Sequence, residues 1–222
     1  TCAKRFETNT VNQLQLFLPC AAGVEEFLAE ECLVITGQQP GTLQTTRGGV
    51  LVQASWRDVM LLNLHSRLAQ RVLVQLSNAE YRSDQDIYEN ASQVAWEIWF
   101  TPKQSFKIEI TAQHSPVKSL NYSALLVKDA ICDRFRHKSG VRPNVETRWP
   151  DARVYVHLNA TLQTLYIDTS GEALFKRGWR TDKGDAPLKE TLAAAMIAAS
   201  AWEGETPLYD PCCGSGTIAI EA

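Results

Sequence analysis

The chain has 222 residues, of which 45% are hydrophobic and 21% are charged, the usual composition of a globular protein with one large domain or two small ones. Its formal net charge of −3 excludes a global positive field, so binding to RNA or DNA would require a local basic patch. No apolar run reaches transmembrane length, and the first residues lack the apolar core of a signal peptide. We therefore expect a cytoplasmic protein, and the missing initiator Met suggests a fragment.

The first 80 residues alternate between strand and helix patterns. A strand is predicted from Val11, and the helix after it has Val24, Phe27, Leu28 and Cys32 on one face. A turn at Gly48-Gly49 leads into another strand, and Ser55 with Asp58 forms a capping box for a second helix. A further strand begins near Arg71. This β-α-β-β-α-β order predicts a ferredoxin-like domain in residues 1–80.

A second α/β unit is predicted in residues 81–178. Ser83 or Asp84 begins a helix that continues to Trp99, and "SFKIEITAQ" alternates as a strand. The next helix ends at Gly140, and one stripe along it is formed by Leu120, Ala124, Val127, Ile131 and Phe135. A hairpin follows, with Val154, Val156 and Leu158 on the same side as Leu165 and Ile167. The whole chain therefore has an α+β pattern.

The last part of the chain, residues 179–222, begins with a polar linker. Asp185 is predicted to cap an alanine-rich helix that has Pro187 in its first turn. "TPLYD" then predicts a short strand that leads into a glycine loop.

The loop itself permits three interpretations. Gly214, Gly216 and Ala219 satisfy the G-x-G-x-x-A pattern of dinucleotide-binding turns. However, Asp210-Pro211 occupies the strand end, and an acidic residue there suits a cofactor with cationic groups, such as S-adenosylmethionine. The third interpretation is a strand-to-helix turn that binds no ligand.

Four motifs, in order, resemble the S-adenosylmethionine-dependent RNA methyltransferases that contain a THUMP domain. "LYDPCCGSGTIAIEA" is similar to their D-P-x-C-G-S-G-T loop, and "LFKRGWR" followed by "APLKETLAAA" resembles the signature before it. "LFLPCAAGVEEFLAEE" resembles their N-terminal segment, and the stretch from Asn121 to Leu158 resembles their THUMP core. Within this family, the motifs resemble those of the bacterial 23S rRNA guanine-N2 methyltransferases.

The resemblance implies a ferredoxin-like domain, a THUMP domain and the first elements of a Rossmann-like methyltransferase domain. It places the following residues at the S-adenosylmethionine site: Asp210, Pro211, Cys212, Gly214, Ser215, Gly216 and Thr217 in the loop, with Lys189, Glu190 and Thr191 at the helix start. The family's [DN]-P-P-[YFW] motif is absent, so we assign no catalytic residue. We expect this fragment alone to be inactive and to bind the cofactor weakly or not at all.

Two segments are locally basic. Between Asp133 and Arg153 there are six Lys or Arg against three acidic residues, and between Lys176 and Lys189 there are five against two, a balance of +3 in each case. We predict RNA contacts, first of all with 23S rRNA, at Arg134, Arg136, Lys138, Arg142, Arg148, Arg177, Arg180 and Lys183. The alternative is that the residues near Arg134 only stabilise the helix C-terminus.

Other candidate groups are interpreted as structural. Trp96, Trp99 and Phe100 are expected to pack in the core rather than to stack on bases. The four His residues and six Cys residues lack metal-ligand spacing, so no metal site is expected. Two alternatives to an rRNA methyltransferase remain: part of an adenine-N6 DNA methylase, or a non-catalytic RNA-binding adaptor.

Overall fold

The computed structural model describes residues 13–180 and 187–222. Contacts divide the chain into two units, which we describe separately. The first unit comprises Thr1–Gln70 and Arg177–Ala222, and the second comprises Arg71–Lys176.

Residues 13–70 of the first unit form three antiparallel strands and two α-helices. In chain order these are β1 (Leu14–Pro19), α1 (Glu25–Thr36), β2 (Leu43–Thr46), β3 (Gly49–Ala54) and α2 (Trp56–His65). Strand β3 lies between β2 and β1 and pairs antiparallel with both. Together with the strand that follows α2, this reproduces the predicted β-α-β-β-α-β order.

Alternation along β1 and β3 builds the core of this part. Leu16 and Leu18 of β1, and Val50 and Val52 of β3, are fully buried. The predicted turn is present, and Gly49 is required there because a Cβ would come within 2.5 Å of the Leu18 carbonyl oxygen.

The predicted capping box of α2 is also present. The Asp58 backbone N–H donates to Ser55 Oγ at 3.3 Å, and the Ser55 N–H donates to Asp58 Oδ2 at 2.9 Å.

The remainder of the first unit differs from the sequence-based expectation. Its described residues form two helices, α5 (Glu190–Ala199) and α6 (Thr217–Glu221). Lys189, not Asp185, is the N-cap of α5, so Pro187 precedes the helix, and Asp185 lies outside the described residues. The strand predicted at 206–210 was wrong, because this segment is irregular throughout. A strand is defined by its hydrogen bonds to a neighbouring strand, and the pattern of five residues does not show whether such a neighbour exists.

The second unit contains four strands and two helices. These are β4 (Leu73–Glu80), α3 (Asp84–Gln93), β5 (Phe106–Ala112), α4 (Leu120–Ser139), β6 (Ala152–Leu158) and β7 (Leu162–Asp168). The strand order is β4-β7-β6-β5; β7 is antiparallel to β4 and β6, whereas β5 and β6 are parallel.

The core of the second unit confirms the predicted hairpin and most of the helical stripe. Val127, Ile131 and Phe135 of α4 are buried, but Leu120 is 37% exposed at the first turn of the helix. Gly140 ends α4 in the left-handed conformation, as predicted.

The aromatic cluster is a packing element. Trp96 and Phe100 are buried, and the Phe100 ring centroid lies 5.1 Å from that of Phe135. Helix α3 ends at Gln93, earlier than predicted, and the Trp96 indole N–H donates to the Ala91 carbonyl at 2.8 Å. This confirms the core interpretation for Trp96 and Phe100, whereas Trp99 is only half-buried.

Candidate cofactor loop and candidate RNA surface

The glycine loop, residues 210–217, is shaped by its own backbone. Gly214 and Gly216 have φ angles of 52° and 74°, a region that favours glycine. The Gly216 N–H donates to the Cys213 carbonyl at 2.7 Å, and α6 begins at the next residue. Since a Cβ at either glycine would meet nothing closer than 3.9 Å, the requirement for glycine is conformational rather than steric.

Asp210 has one carboxylate oxygen that is satisfied and one that is not. Oδ1 accepts a hydrogen bond from the Cys212 N–H at 3.0 Å, whereas Oδ2 is buried and has no hydrogen-bond partner within the described part of the chain. A buried, unsatisfied carboxylate oxygen is costly in free energy. It suits a ligand that brings a donor or a cationic group, so this loop fits S-adenosylmethionine.

The start of α5 approaches the same loop through Arg180. Glu190 and Thr191 are buried, with 7% and 6% exposure. The Arg180 guanidinium donates from Nε to Glu190 Oε1 at 3.3 Å and from Nη2 to Thr217 Oγ1 at 3.0 Å. Arg180 was predicted at the RNA surface, but the structure brings it to the glycine loop instead.

Arg177 is similarly engaged inside the first unit. Its Nε donates to Glu221 Oε1 at 3.3 Å, and its Nη2 donates to the Arg67 carbonyl at 2.9 Å. The Glu221 side chain is only 6% exposed. The Glu221 carboxylate also pairs with Arg67, whose side chain is 48% exposed, so Arg177 is engaged in an ion-pair cluster of the first unit. Lys183, from the same predicted set, lies outside the described residues.

The basic segment of the second unit is divided between structural and exposed side chains. Arg134 binds Glu97 through two hydrogen bonds of 2.7 and 2.8 Å and donates to the Ser92 carbonyl near the end of α3. These hydrogen bonds lower the pKa of Glu97 to about 2, against an opposing effect of burial. Arg153 pairs with Glu172 at 3.2 Å. Both arginines hold the fold together.

The other basic side chains of this segment face solvent. Arg136 is 60% exposed and forms a single contact of 3.1 Å with Asp133, one turn earlier in α4. Lys138, Arg142 and Arg148 are exposed. Within residues 13–180 and 187–222, the structure gives the Arg142 guanidinium no hydrogen bond or ion pair.

A groove of about 830 Å³ lies beside Arg142. Its walls are formed by the residue before β5, by helix α4 and by the segment after α4. The lining residues are Ser105, Lys128, Arg142, Pro143, Asn144, Val145, Glu146 and Trp149. Trp149 is 73% exposed. Lys128 also pairs with Asp129 at 2.8 Å, and Glu146 Oε1 accepts from the Arg148 N–H, so the groove is not uniformly positive.

The sequence analysis did not select Trp149 or Lys128 as candidate RNA-contacting residues, although both line the groove. For Trp149, the sequence signal would have been a Trp next to Arg148 in an irregular segment bounded by prolines, because such a Trp is often exposed.

The described residues contain no cluster of His, Cys, Asp or Glu that could hold a metal ion. Nor does any helix among them have the length and apolar character needed to cross a membrane.

Comparison with protein families accounts for most of the chain. Residues 15–73 match the RlmL ferredoxin-like domain, residues 81–168 match the THUMP domain, and residues 177–222 match the RMKL-like methyltransferase domain. The three matches occur in the order that the resemblance implied.

Comparison with individual proteins also finds methyltransferases and methylases. The chain is 38% identical, over 208 residues, to a ribosomal RNA large subunit methyltransferase K/L from Aeromonas salmonicida; this covers 94% of the chain but 28% of that relative. A predicted N6-adenine-specific DNA methylase from Listeria monocytogenes is 29% identical, with a TM-score of 0.84, over 95% of the chain and 54% of that protein. SMU.472, a putative methyltransferase complexed with SAH, is 28% identical, with a TM-score of 0.82, over 94% of the chain and 54% of that protein.

Proposed function

We propose, from the premise that the chain belongs to the THUMP-domain-containing methyltransferases, that it is the RNA-recognition part of a longer enzyme that methylates guanine N2 in 23S rRNA. The observation that supports this most is the 38% identity over 94% of the chain to a ribosomal RNA methyltransferase more than three times as long. We assign residues 1–80 to the ferredoxin-like domain, 81–178 to the THUMP domain and 179–222 to the start of the methyltransferase domain. The cytoplasm, where rRNA is made in bacteria, is the proposed location.

The glycine loop is the proposed cofactor site. Asp210, Gly214, Ser215 and Gly216 would hold S-adenosylmethionine, with Glu190 and Thr191 at the adjoining helix start. When bound, this cofactor supplies a methyl group on a sulfonium centre. Asp210 Oδ2 would accept a hydrogen bond from the ligand, which removes the cost of its unsatisfied burial. The two glycines allow the backbone to approach the ligand closely.

The groove beside Arg142 is the proposed RNA-contacting surface. Arg142 and Lys128 would contact phosphates, and the exposed Trp149 ring would stack on an unpaired base. Lys138, Arg136 and Arg148 extend the exposed basic surface along the same segment. Because phosphates and stacking carry little sequence information, we expect modest sequence preference.

Replacing Trp149 tests the stacking contact. Base–aromatic stacking is worth about 1–3 kcal/mol per base, so Trp149→Ala should weaken binding of an rRNA fragment at least about fivefold. Trp56→Ala is the matched control, because Trp56 is 49% exposed but lies in α2, outside the groove. Gel-shift titration measures both. Equal affinities for the two variants would contradict this surface.

The methylated product tests the reaction. The longer protein is incubated with S-adenosylmethionine and either unmodified rRNA or unmethylated DNA, and nucleoside digests are analysed by mass spectrometry. The rRNA reaction should yield N2-methylguanosine. N6-methyladenine in DNA would favour the second candidate, which the name of the Listeria monocytogenes protein supports. RNA binding without any methyl transfer would favour a non-catalytic adaptor.

A further inference from the structure

The "RGWR" sequence at residues 177–180 belongs to a basic segment that its local charge predicts to contact RNA. Its last residue, Arg180, has a side chain only 8% exposed and lies against Glu190, whose side chain is 9% exposed. An arginine this deeply buried is poorly placed to bind a phosphate from solvent. Its contacts identify a different role.

Arg180 distributes its hydrogen bonds between two separate pieces of chain, residues 188–190 and the glycine loop. Besides Glu190 Oε1 and Thr217 Oγ1, it donates from Nη1 to Ser215 Oγ at 3.2 Å and from Nη2 to the Leu188 carbonyl at 3.0 Å. Its guanidinium also lies 4.9 Å from the centroid of the Trp179 ring. The planar guanidinium thus connects the approach to α5, the first residue of α5 and the glycine loop.

The two loop contacts flank Gly216. Ser215 and Thr217 are the neighbours of this left-handed residue, and their hydroxyl oxygens lie 3.3 Å apart. Arg180 therefore holds both sides of the point at which the backbone turns into α6. Ser215 and Glu190 belong to the proposed cofactor site, but Arg180 itself reaches that site only through them.

We infer that Arg180 is a positioning residue for the cofactor loop: it fixes the loop conformation relative to the start of α5 before the cofactor binds. This inference rests on the proposed function of the loop. Lysine would preserve the charge at this position, but it cannot reproduce the planar, multiply donating group that contacts Glu190, Ser215 and Thr217 together.

Arg180→Lys, with Arg177→Lys as the matched control, tests the inference. Both residues belong to the same motif and both bind a buried glutamate, but Arg180 contacts Ser215 and Thr217 of the loop, whereas Arg177 contacts Glu221 and the Arg67 carbonyl. Hydrogen–deuterium exchange of the 222-residue chain measures loop opening directly. In Arg180→Lys, amides of residues 212–217 should exchange about tenfold faster or more, and in Arg177→Lys they should exchange as in the wild type.

A second measurement, the affinity of the longer protein for S-adenosylhomocysteine by calorimetry, links the loop to the cofactor. We expect Arg180→Lys to weaken affinity about 10- to 100-fold, as the loss of a supporting residue does at metal sites, and Arg177→Lys to leave it unchanged. Wild-type exchange in Arg180→Lys overturns the positioning role. Faster exchange with unchanged affinity overturns the link to the cofactor. If the wild-type protein binds no S-adenosylhomocysteine, the proposed function of the loop fails, whereas the exchange result still decides whether Arg180 holds the loop.

Discussion

The two basic segments have the same local charge of +3 in the sequence, but the structure uses them differently. In the segment from Asp133 to Arg153, Arg142 and Lys138 face solvent, and Arg142 lines the groove. In the segment that begins at Lys176, Arg177 and Arg180 are engaged with the buried carboxylates of Glu221 and Glu190. Local charge therefore shows where basic residues are abundant. Whether a given basic side chain is available to bind a phosphate depends on whether it already binds a carboxylate.

Among the substitutions considered, Arg180→Ala should lower the free energy of unfolding the most. Removing one member of a buried ion pair leaves the other uncompensated, which typically costs about 3–5 kcal/mol. Glu190 would lose this partner, and Ser215 and Thr217 would lose a donor. Urea unfolding followed by circular dichroism measures the change. A loss no greater than that of Arg142→Ala would remove the distinction between the two segments.

Arg134→Ala should have the next largest effect. Arg134 lies in the more exposed segment but resembles Arg180 in its contacts, because it binds Glu97 and the Ser92 carbonyl. Charge-assisted hydrogen bonds and partial burial predict a loss of about 2 kcal/mol. The same urea titration measures it, and Arg136→Ala, which removes only an exposed contact to Asp133, should cost about 0.5 kcal/mol or less. Similar losses for the two variants would contradict the structural assignment of Arg134.

The Arg134–Glu97 pair should also make the free energy of unfolding depend on pH, with a smaller effect than the substitutions above. The pKa of Glu97 is lowered from 4.5 to about 2, so its contribution is fully present above pH 4.5 and is lost as the pH falls toward 2. Because 35% of the Glu97 side chain is exposed, we expect only about 1 kcal/mol. The stability difference between wild type and Glu97→Gln should shrink over this pH range. A difference that is constant with pH would indicate that the pair contributes no charge-dependent stability.

The sequence was sufficient to predict the order of the elements as far as Asp168 and the position of the loop, because both depend on local signals. Ser55 with Asp58, Gly140 and the alternation around Val154 each depend on neighbours within a few residues.

The partners of the arginines were not predictable in this way. Glu97 lies 37 residues from Arg134, and Thr217 lies 37 residues from Arg180, so neither contact leaves a local pattern. The strand predicted at 206–210 failed for the same reason, since a strand requires a neighbour that five residues cannot specify.

The salt dependence of RNA binding tests the central claim most directly, that the exposed arginine beside the groove contacts RNA and the carboxylate-bound arginines at residues 177 and 180 do not. Gel-shift titrations of an rRNA fragment at several salt concentrations should compare wild type, Arg142→Ala and Arg177→Ala. We predict that Arg142→Ala binds several-fold more weakly and that its log–log salt slope falls by roughly 0.7 to 0.9, the loss of one phosphate contact. Arg177→Ala should keep the wild-type slope while its stability falls. The opposite pattern, a reduced slope in Arg177→Ala and an unchanged one in Arg142→Ala, would contradict the account.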